Sequence, residues 1–532
     1  MARSKKHEPP LMPLRLDGLT LTLTGAEKTL RRRIADRLGV PAGRVTSFRI
    51  ARRSLDVRDR QRIRWVYSVV VQLADESEAL RRLRGDRDVH LLLESEQPFA
   101  PPPLLRAMRP VIVGAGPAGL FAADALARRG APPLVLERGR PVEQRDEDVR
   151  RLFTEARLDP ESNICFGEGG AGTYSDGKLT TRIGHPLVRH VLQTFVDLGA
   201  PGDVLYDAAP HLGSDRLPGL VRAMRERLIQ QGVEFRFDAK VTDVAIEDGR
   251  LRGLVLADGS TIEADAVLFA IGHSAADLVR ALHRRGVAIE PKGFAVGVRI
   301  EHEQRVIDQM QYGRAAGHPR LPPATYRLTH RGPGGRGVYS FCMCPGGMIL
   351  PSATDAGHLV INGGSNAARS GERANAALVV AVGPDDFGAE PLAGLAFREA
   401  LEAQAASGEA LRAPAQRVVD FLAGRTSRDL PPVSYPLGVA PANLHDVLPP
   451  LVREGLLNAL RRWGARRRGF TGAGAVLVGV ETRTSSPWRL VRNEQFESVN
   501  VRGLYVAGEG AGYAGGIVSS AVDGLRAALG IS

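Results

Sequence analysis

The chain has 532 residues, of which 43% are hydrophobic and 24% charged, a composition typical of packed globular domains. It contains no uninterrupted run of the ~18 apolar residues that a membrane-spanning helix needs, and no apolar stretch follows the charged N-terminus as in a secretory signal. The three cysteines, Cys165, Cys342 and Cys344, are too few for a disulfide framework. We therefore expect a cytoplasmic protein with no membrane partner.

The formal net charge of +12 would suit a protein that binds nucleic acid or acidic substrates. However, arginine supplies nearly all of this charge, and arginine together with abundant alanine and glycine is typical of GC-rich codon usage. The only lysines are Lys5, Lys6, Lys28, Lys178, Lys240 and Lys292. We interpret the densest basic run, 461–468, as a solvated helix end. The charge alone therefore does not predict a nucleic-acid partner.

Residues 14–94 predict a small module of strands and helices. The expected strands are 14–22, 45–50, 64–73 and 89–93, and the expected helices are 24–38 and 76–83. Thr24 and Glu27 have the spacing of a capping box, and Gly39 ends the first helix. The order β-α-β-β-α-β predicts a ferredoxin-like module, a fold that does not by itself specify a function. The proline-rich segment 97–110 that follows predicts a domain boundary.

A dinucleotide-binding motif begins at residue 110. The sequence PVIVGAGPAG predicts a buried strand that runs into G-x-G-x-x-G and then a helix. Gly114 permits the tight turn, Gly116 lets the backbone approach a pyrophosphate, and Gly119 lets the helix pack on the strand. Glu137 ends the second strand, where an acid is expected to hydrogen-bond a ribose hydroxyl. Strand, turn, helix, strand and terminal acid all occur in order, which favours a bound dinucleotide.

The C-terminal end of the chain identifies this dinucleotide as FAD. Residues 500–509 predict a strand that runs into a turn of small residues, and a helix begins at Ile517. This resembles the second FAD motif of glutathione-reductase-type flavoproteins, in which an acid, usually Asp, holds the ribityl chain. Glu509 takes that position here, and the N-terminus of the following helix would stabilise negative charge on the reduced flavin. The segment 268–273, a strand that ends in a glycine, is typical of the return to this domain.

The chain carries one convincing dinucleotide fingerprint, so an NADPH-binding Rossmann domain of its own is not expected. If NAD(P)H reduces the flavin, it must dock transiently. We predict an α/β fold with a glutathione-reductase-type FAD Rossmann domain, an inserted substrate lobe and an N-terminal ferredoxin-like α+β module. The boundaries are 1–98 for the module, 104–285 and 481–532 for the FAD domain, and 286–480 for the inserted lobe. The alanine-rich segment 399–415 predicts a surface helix of that lobe.

Three further segments resemble signatures of the bacterial FAD-dependent dehydrogenase family. They are FGEGGAGTYSDGKL at 166–179, SFCMCPGG at 340–347 and ETRTSSP at 481–487. Residues 51–56 and 65–67 also resemble the N-terminal domain of that family. The resemblance covers nearly the whole chain and implies the cofactor and the fold more closely than the reaction. More distantly, the layout is similar to flavoproteins that modify tRNA uridines and to dehydrogenases that reduce conjugated double bonds.

The motifs and the resemblance together assign the expected cofactor-binding residues. By the resemblance, 168–172 would wrap the flavin edge, Lys178 and Leu179 would lie near the ring, Arg145 would reach a phosphate or ribose, and Val241 would contact adenine. The complete set is Gly114, Gly116, Pro117, Ala118, Gly119, Glu137, Arg138, Arg145, Gly169, Gly170, Ala171, Gly172, Lys178, Leu179, Val241, Gly272, Gly508, Glu509, Gly516 and Ile517. We expect the FAD to be non-covalent, because no attachment point is evident, and we expect no metal.

Flavin chemistry transfers a hydride at N5, so the protein must orient a substrate and supply a proton. Arg483 is the first candidate, since arginine can clamp a carboxylate in bidentate fashion, although it could instead pair with Glu481. Tyr513 is a candidate proton donor and Lys178 is a third catalytic candidate, with a salt bridge at the start of a helix as its alternative. Cys342 and Cys344 would face one side of a strand, where a disulfide would be strained. They are interpreted as a small buried pair that could face the substrate pocket, and the scattered histidines as structural.

Two functions follow from these observations. The first is an FAD-dependent oxidoreductase that acts on a small molecule, such as an unsaturated or carboxylated one, at the interface with the inserted lobe. The alternative is an RNA-linked flavoprotein in which the N-terminal module binds nucleic acid. That alternative requires a common exposed face for Arg31, Arg32, Arg33, Arg52 and Arg53. The sequence does not specify the substrate, the electron donor and acceptor, or the oligomeric state.

Overall fold

The computed structural model describes residues 13–74, 86–92, 99–104, 108–406 and 411–532. These residues form two compact units. The first contains the described residues up to Phe99 together with Pro201–Pro210 and Tyr312–Pro322, and the second contains the remainder from Ala100 onward. No helix within these ranges is long and apolar enough to cross a membrane.

The first unit is built on an antiparallel sheet. Its elements are β1 Leu14–Thr22, α1 Leu30–Leu38, β2 Val45–Asp56, β3 Arg64–Leu73 and β4 Val89–Leu91. The strand order is β2-β3-β1-β4, and the helix buries its apolar face, including Ile34 and Leu38, in the core beneath the sheet. The predicted strands 14–22 and 64–73 are confirmed to the residue. The predicted helix 76–83 lies outside the described residues, so the ferredoxin-like arrangement remains a prediction.

The predicted capping box at the start of α1 is wrong. A 3-10 turn, Glu27–Thr29, precedes the helix, and no side chain caps either element. The Glu27 carboxylate instead accepts a hydrogen bond of 2.8 Å from the phenol of Tyr67 on β3. A tertiary partner has therefore taken the group that the local pattern assigned to the helix end. The predicted end at Gly39 is confirmed, with a φ of 66° that suits glycine.

The second unit contains most of the remaining elements. Its strands are β5 Val111–Val113, β6 Leu134–Leu136, β7 Glu234–Arg236, β8 Val241–Glu247, β9 Arg250–Leu256, β10 Thr261–Glu263, β11 Val267–Phe269, β12 Ile289–Pro291, β13 Phe294–Glu303, β14 Thr329–Arg331, β15 Gly337–Cys344, β16 Gly347–Pro351, β17 Ile361–Ser365, β18 Arg373–Val382, β19 Ala413–Arg417, β20 Val439–Pro441, β21 Val476–Glu481, β22 Trp488–Leu490 and β23 Leu504–Val506. The helices that follow α1 in the chain are α2 Pro117–Arg128, α3 Val142–Glu155, α4 Leu187–Asp197, α5 Leu217–Gln230, α6 Ala276–Arg284, α7 Gln304–Tyr312, α8 Pro384–Phe387, α9 Ala393–Ala405, α10 Val418–Ala423, α11 Leu444–Val447, α12 Pro450–Arg466 and α13 Ile517–Gly530.

A parallel five-stranded sheet lies in this unit. Its order is β23-β11-β5-β6-β7, and every neighbouring pair is parallel. Four of the strands, β5, β6, β11 and β23, are short and buried, as expected for a sheet covered on both faces, whereas the edge strand β7 is more polar. The central strand β5, which begins the glycine motif, is separated from the C-terminal strand β23 only by β11. Because all pairs are parallel, the carboxyl ends of β5 and β23 lie at the same end of the sheet.

Strands between Phe294 and Glu481 form a second, larger sheet. It has seven strands in the order β14-β15-β18-β13-β21-β19-β20, with long antiparallel pairing between β13 and β18. The predicted helix 399–415 is only partly correct. Helix α9 ends at Ala405 and β19 begins at Ala413, because Pro414 cannot occupy a helix interior. Its predicted surface position is also wrong at Glu402, which is fully buried.

Candidate active site

The glycine turn after β5 has the geometry that the motif requires. Gly114 has a φ of 105°, and a Cβ at this position would collide with the carbonyl oxygen of Ala270. A Cβ on Gly119 would collide with the carbonyl of Gly114, so that glycine lets α2 pack on the turn. Gly116 is different, because the nearest atom to a Cβ there is the Cα of Gly170 at 3.9 Å. Gly116 therefore leaves space at the N-terminus of α2.

The C-terminal glycine turn lies directly against the first one. A Cβ on Gly508, which has a φ of 78°, would stand 2.8 Å from the Cβ of Ala118. A Cβ on Gly510 would stand 2.5 Å from the carbonyl oxygen of Gly272, the predicted return segment. Asp523 on α13 accepts the Gly508 amide at 2.8 Å and holds the turn from behind. The prediction that the two distant turns meet is confirmed.

The third predicted segment, 166–172, joins the same place. A Cβ on Gly170 would lie 3.2 Å from the Cα of Gly116, and one on Gly172 would lie 3.2 Å from Cγ1 of Ile517 at the start of α13. The Gly169 amide donates to the Ala115 carbonyl at 2.8 Å. Residues from three separate parts of the chain thus surround the N-termini of α2 and α13, where backbone N–H groups favour anionic groups.

Glu137 is buried behind this turn. Its carboxylate accepts the amides of Ala115 at 2.8 Å and of Gly139 and Gly167 at 3.0 Å. It therefore ties the first glycine turn to the 166–172 loop. Oε2 accepts only one of these bonds, so it retains a lone pair for a ribose hydroxyl, the predicted role.

Arg145 does not have the role that the resemblance implied. Its side chain is completely buried, and all five of its N–H donors are used within the loop. The acceptors are the carbonyls of Asn163, Ile164, Glu168 and Gly170 and the hydroxyl of Thr173, at 2.5–3.3 Å. No donor is left for a phosphate or a ribose. Arg145 instead shapes the 163–173 loop that lies against Gly116.

Three other predicted cofactor residues lie around this core. Arg138 stacks on Phe166, 4.0 Å from the ring centroid, and pairs with Glu161 and Asp277. Its guanidinium is therefore held by carboxylates rather than presented to a ligand. Val241 is buried at the start of β8, and Leu179 is buried at the end of the predicted flavin loop.

Glu509 and Lys292 influence each other beside the C-terminal turn. Burial raises the pKa of Glu509 to about 8, although the ammonium of Lys292 opposes this shift. Burial likewise lowers the pKa of Lys292, and the Glu509 carboxylate opposes that shift. The Lys292 Nζ donates to the Ser485 hydroxyl at 3.3 Å and the Ser486 carbonyl at 3.0 Å. Glu509 can therefore exchange a proton near neutral pH, and Lys292 holds its proton less tightly than an exposed lysine does.

Lys178 occupies a cluster with both cysteines of the C-x-C motif. Its Nζ lies 4.0 Å from the Cys342 sulfur, 3.8 Å from the Cys344 sulfur and 3.0 Å from Asp176. Asp176 also forms an ion pair with Arg369 at 2.7 Å. Burial would raise the pKa of Asp176, but the charges of Lys178 and Arg369 outweigh burial and lower this pKa to about 2. Lys178 therefore forms a salt bridge, but no helix begins at this residue, so the helix-start setting of the alternative is wrong. The same ammonium also faces two thiols, which the sequence did not predict.

Arg483 does not serve as the predicted substrate clamp. Its Nε and Nη2 bind the buried Glu402 carboxylate in bidentate fashion at 3.0 and 2.7 Å. Nη1 donates to the hydroxyls of Ser274 and Thr354, both at 3.1 Å. The edge that would hold a substrate carboxylate is occupied, so Arg483 is part of the core. The alternative partner, Glu481, instead pairs with Arg299 at 3.1 Å.

Tyr513, the candidate proton donor, lies at the surface. Its side chain is 39% exposed, and its ring lies between the guanidiniums of Arg492 and Arg489, whose Cζ atoms are 3.8 and 5.2 Å from the centroid. Two histidines near the core are structural, as predicted: burial lowers the pKa of His273 to about 3 and that of His302 to about 4. Within the described ranges, no group of three or more His, Cys, Asp or Glu side chains could hold a metal ion.

These residues fit an FAD molecule. A Cβ on Gly116 or Gly516 would meet almost nothing, so both helix N-termini are open to a ligand. In the described part of the chain, no hydrogen-bond donor is bound to the Glu509 carboxylate, which lies where the ribityl-binding acid is expected.

Comparison with known proteins decides the family. Residues 293–484 match the model of an FAD-dependent protein, C-terminal domain-like, and residues 193–306 match a pyridine nucleotide-disulphide oxidoreductase model. An uncharacterized protein of Clostridium beijerinckii is 42% identical over 525 residues, which cover 97% of this chain and 98% of the relative. The chain belongs to the bacterial FAD-dependent dehydrogenase family. It is an FAD-dependent oxidoreductase with an α/β fold and a Rossmann-type domain.

Solved flavoproteins are more distant from this chain. The flavin-dependent halogenase CmlS is 15% identical, with a TM-score of 0.36, over 80% of this chain and 57% of its own. NikD, an unusual amino acid oxidase essential for nikkomycin biosynthesis, is 13% identical, with a TM-score of 0.35, over 80% of this chain and 94% of its own. At the N-terminus, residues 15–72 match a domain of unknown function.

Lys292 is a site residue that the sequence did not predict. Its local setting, Pro-Lys-Gly, lacks the strand–turn–helix pattern of a motif. The composition contained a signal that could have indicated Lys292. Arginine provides nearly all the positive charge, and Lys178 and Lys292 are two of only six lysines. Lysine, unlike arginine, changes its protonation state readily when it is buried.

Proposed function

We propose that this chain binds one FAD non-covalently between the glycine turns at Gly114 and Gly508. In this proposal it transfers a hydride between flavin N5 and a small molecule. The carrying observation is the contact of Gly508 with Ala118, together with the approach of Gly170 to Gly116. When bound, the flavin supplies the two-electron chemistry. The chain's own residues position the cofactor and hold a proton.

Two lysines support an anionic substrate, such as an unsaturated carboxylate. Lys178 is half-buried beside the flavin loop, and Lys292 lies beside Glu509. The positive charge of these lysines would favour a carboxylate, whereas Arg483 is already saturated by Glu402. We assign to Lys292 the proton that accompanies hydride transfer, because burial lowers its pKa toward the working range.

We further propose that 286–480 is an inserted lobe that provides the substrate side of the site, and that 1–98 is a ferredoxin-like module. The strand order β2-β3-β1-β4 of the first unit supports the module. The nucleic-acid alternative loses one of its required side chains. Arg53 is only 20% exposed and pairs with Asp207 at 2.7 Å, so it is not part of an exposed basic face.

The test is anaerobic reduction of the purified protein by NADH and by NADPH, followed by reoxidation with a panel of unsaturated carboxylates and their uncharged esters. We expect a yellow protein whose flavin is bleached by one pyridine nucleotide and recovered faster by carboxylates than by esters. Colourless protein that takes up no added FAD would overturn the flavin assignment. A yellow protein that neither nucleotide reduces would exclude NADH and NADPH as electron donors and leave the flavin assignment intact.

Substitution of Lys292 tests the proton assignment. Lys292→Met should bind FAD normally but reoxidise slowly with the carboxylate substrate, by roughly 10²-fold or more if a proton donor has been lost. Lys28→Met, which removes an exposed lysine of the first unit, is the matched control and should behave as the natural protein. An unchanged rate in Lys292→Met would contradict the assignment.

A further inference from the structure

Cys342 has a backbone conformation that is unusual for its residue type. It lies at the end of β15 with a φ of 42°, in the left-handed region that favours glycine. The pairing of β15 with β18 is irregular at the same point, between Phe341 and Cys344. A side chain in this region costs on the order of 1–3 kcal/mol, and such strain is concentrated at functional sites. The chain therefore maintains an unfavourable conformation at one of its two adjacent thiols.

The two sulfurs share a single cation. The Lys178 ammonium stands 4.0 Å from one sulfur and 3.8 Å from the other, and Arg299 donates to the Cys342 carbonyl at 2.7 Å. Cys342 is half-buried and Cys344 is buried, and both are free cysteines. A cation held between two sulfurs stabilises a thiolate at either position.

The surroundings of the two sulfurs differ. The Cys344 thiol donates to the Cys342 carbonyl oxygen at 3.3 Å. The neighbouring Cys344 side chain, with Lys178 and Arg299, lowers the pKa of Cys342 despite burial, whereas Cys342 and burial raise the pKa of Cys344. These opposite directions favour the thiolate at Cys342 over the thiolate at Cys344, and a thiolate beside a thiol is the arrangement that forms and breaks disulfides most readily.

The pair is close to the place assigned to the flavin. Lys178 lies near the end of the 166–179 segment, in which Gly170 approaches Gly116. Arg299 joins the Cys342 carbonyl, at 2.7 Å, to Glu481, at 3.1 Å. Five residues after Glu481, the Ser486 hydroxyl donates to the Glu509 carbonyl at 2.6 Å, so short contacts connect the pair to both predicted flavin-binding segments.

We propose that Cys342 and Cys344 are a redox-active dithiol that exchanges two electrons with the FAD; this inference rests on the proposed function. In the oxidising direction, the Cys342 thiolate and the Cys344 thiol form an S–S bond. Two electrons and the Cys344 proton pass to oxidised flavin, which becomes the singly protonated reduced anion. In the reverse direction, the S–S bond breaks, Cys342 leaves as a thiolate and Cys344 regains the proton.

The short spacing favours reversibility. Two residues of extended strand span about 6.6 Å, near the upper limit for the Cα atoms of a disulfide. A strained disulfide of this type has a more oxidising potential than a structural one, so a reduced flavin can reduce it.

The first test counts electrons in the full-length holoprotein, oxidised in air and titrated anaerobically with dithionite. We expect two electron pairs per flavin in the natural protein and one pair in Cys344→Ser. Cys165→Ser, which removes the other buried cysteine, should retain both pairs. One pair per flavin in the natural protein, with the flavin fully reducible, would overturn the dithiol while leaving the proposed function intact.

The second test requires neither turnover nor a variant that lacks a cysteine. Mass mapping of the natural protein, alkylated under denaturing conditions before and after reduction, should show Cys342 and Cys344 linked only in the oxidised sample. Alkylation of Cys342 in the folded protein should slow in Lys178→Met, by about tenfold for each unit by which the thiol pKa rises above the assay pH. Equal labelling in both redox states, with Cys342 unaffected by the lysine, would contradict the proposal. Failure to bind FAD would instead disprove the proposed function.

Discussion

Gly508 packs on Ala118: a Cβ at Gly508 would stand 2.8 Å from the Cβ of Ala118, on the second residue of helix α2. Gly508 belongs to the C-terminal turn, and Ala118 belongs to the N-terminal glycine motif. The parallel sheet brings them together, since β23 and β5 both pair with β11. This close approach predicts that glycine-to-alanine substitutions, which add one methyl group, change the stability of the protein and its flavin binding.

Gly508→Ala should destabilise the protein and reduce its flavin content. The new methyl group meets Ala118 and occupies a left-handed backbone position, so we expect a loss of about 2–4 kcal/mol. Gly130→Ala is a matched control, because Gly130 has the same φ of 78° and no atom within 4 Å of a Cβ. Thermal unfolding and the ratio of flavin to protein measure both effects. Equal behaviour of the two variants would show that packing on Ala118 is unimportant.

Gly116→Ala should separate cofactor binding from folding. Gly116 has a φ of −78°, which alanine adopts freely, and its Cβ would have 3.9 Å to the nearest atom. We expect the flavin-free protein to unfold within about 0.5 kcal/mol of the natural one, as for an unhindered substitution. FAD affinity should fall at least tenfold, or about 1.4 kcal/mol, in a fluorescence titration. Unchanged affinity would place the pyrophosphate elsewhere.

Arg145→Lys should weaken the loop that lies against Gly116, although the charge is retained. Lysine offers three donors instead of five, so at least two buried acceptors lose their partners, at about 1–3 kcal/mol each. Arg150→Lys on the exposed face of the same helix is the control and should change stability little. Denaturant unfolding of the flavin-free proteins provides the comparison. A stable Arg145→Lys that has lost only FAD affinity would restore the phosphate role.

Arg483→Met should act on stability rather than on substrate binding. Removal of the guanidinium leaves the Glu402 carboxylate buried without its bidentate partner, a loss of about 3–5 kcal/mol. In the surviving folded protein, KM for a carboxylate substrate should be unchanged. A well-folded variant with a strongly raised KM would instead support the substrate-clamp prediction.

Glu509→Gln should change how stability depends on pH. Burial raises the pKa of Glu509 to about 8 from its ordinary value of 4.5, so the folded state binds the proton more tightly than the unfolded state. The stabilising contribution is complete below about pH 4.5 and is lost as the pH rises through 8. Glutamine cannot ionise, so the melting temperature of the flavin-free variant should exceed that of the natural protein increasingly across this window. The exposed Glu494→Gln should show no such trend.

Local pattern was sufficient for elements whose partners are close in the chain. The strands Leu14–Thr22 and Arg64–Leu73, the end of α1 at Gly39 and the start of α13 at Ile517 lie where the sequence predicted them. Glycines were predictable for the same reason, because a turn with positive φ admits few other residues. Local pattern failed at Glu27, where a phenol from another strand replaced the expected helix cap.

The sequence by itself determined the FAD-binding Rossmann arrangement and most of the residues that surround the two helix N-termini. Only the tertiary structure decided the partners of the long charged side chains, which reach several ångströms and bind whichever buried acceptor the fold brings near. Arg145 and Arg483 were therefore assigned to ligands but are saturated by the chain itself. The protonation of Lys178 and Lys292 also depends on the tertiary structure, because burial and neighbouring charges control the pKa of each lysine.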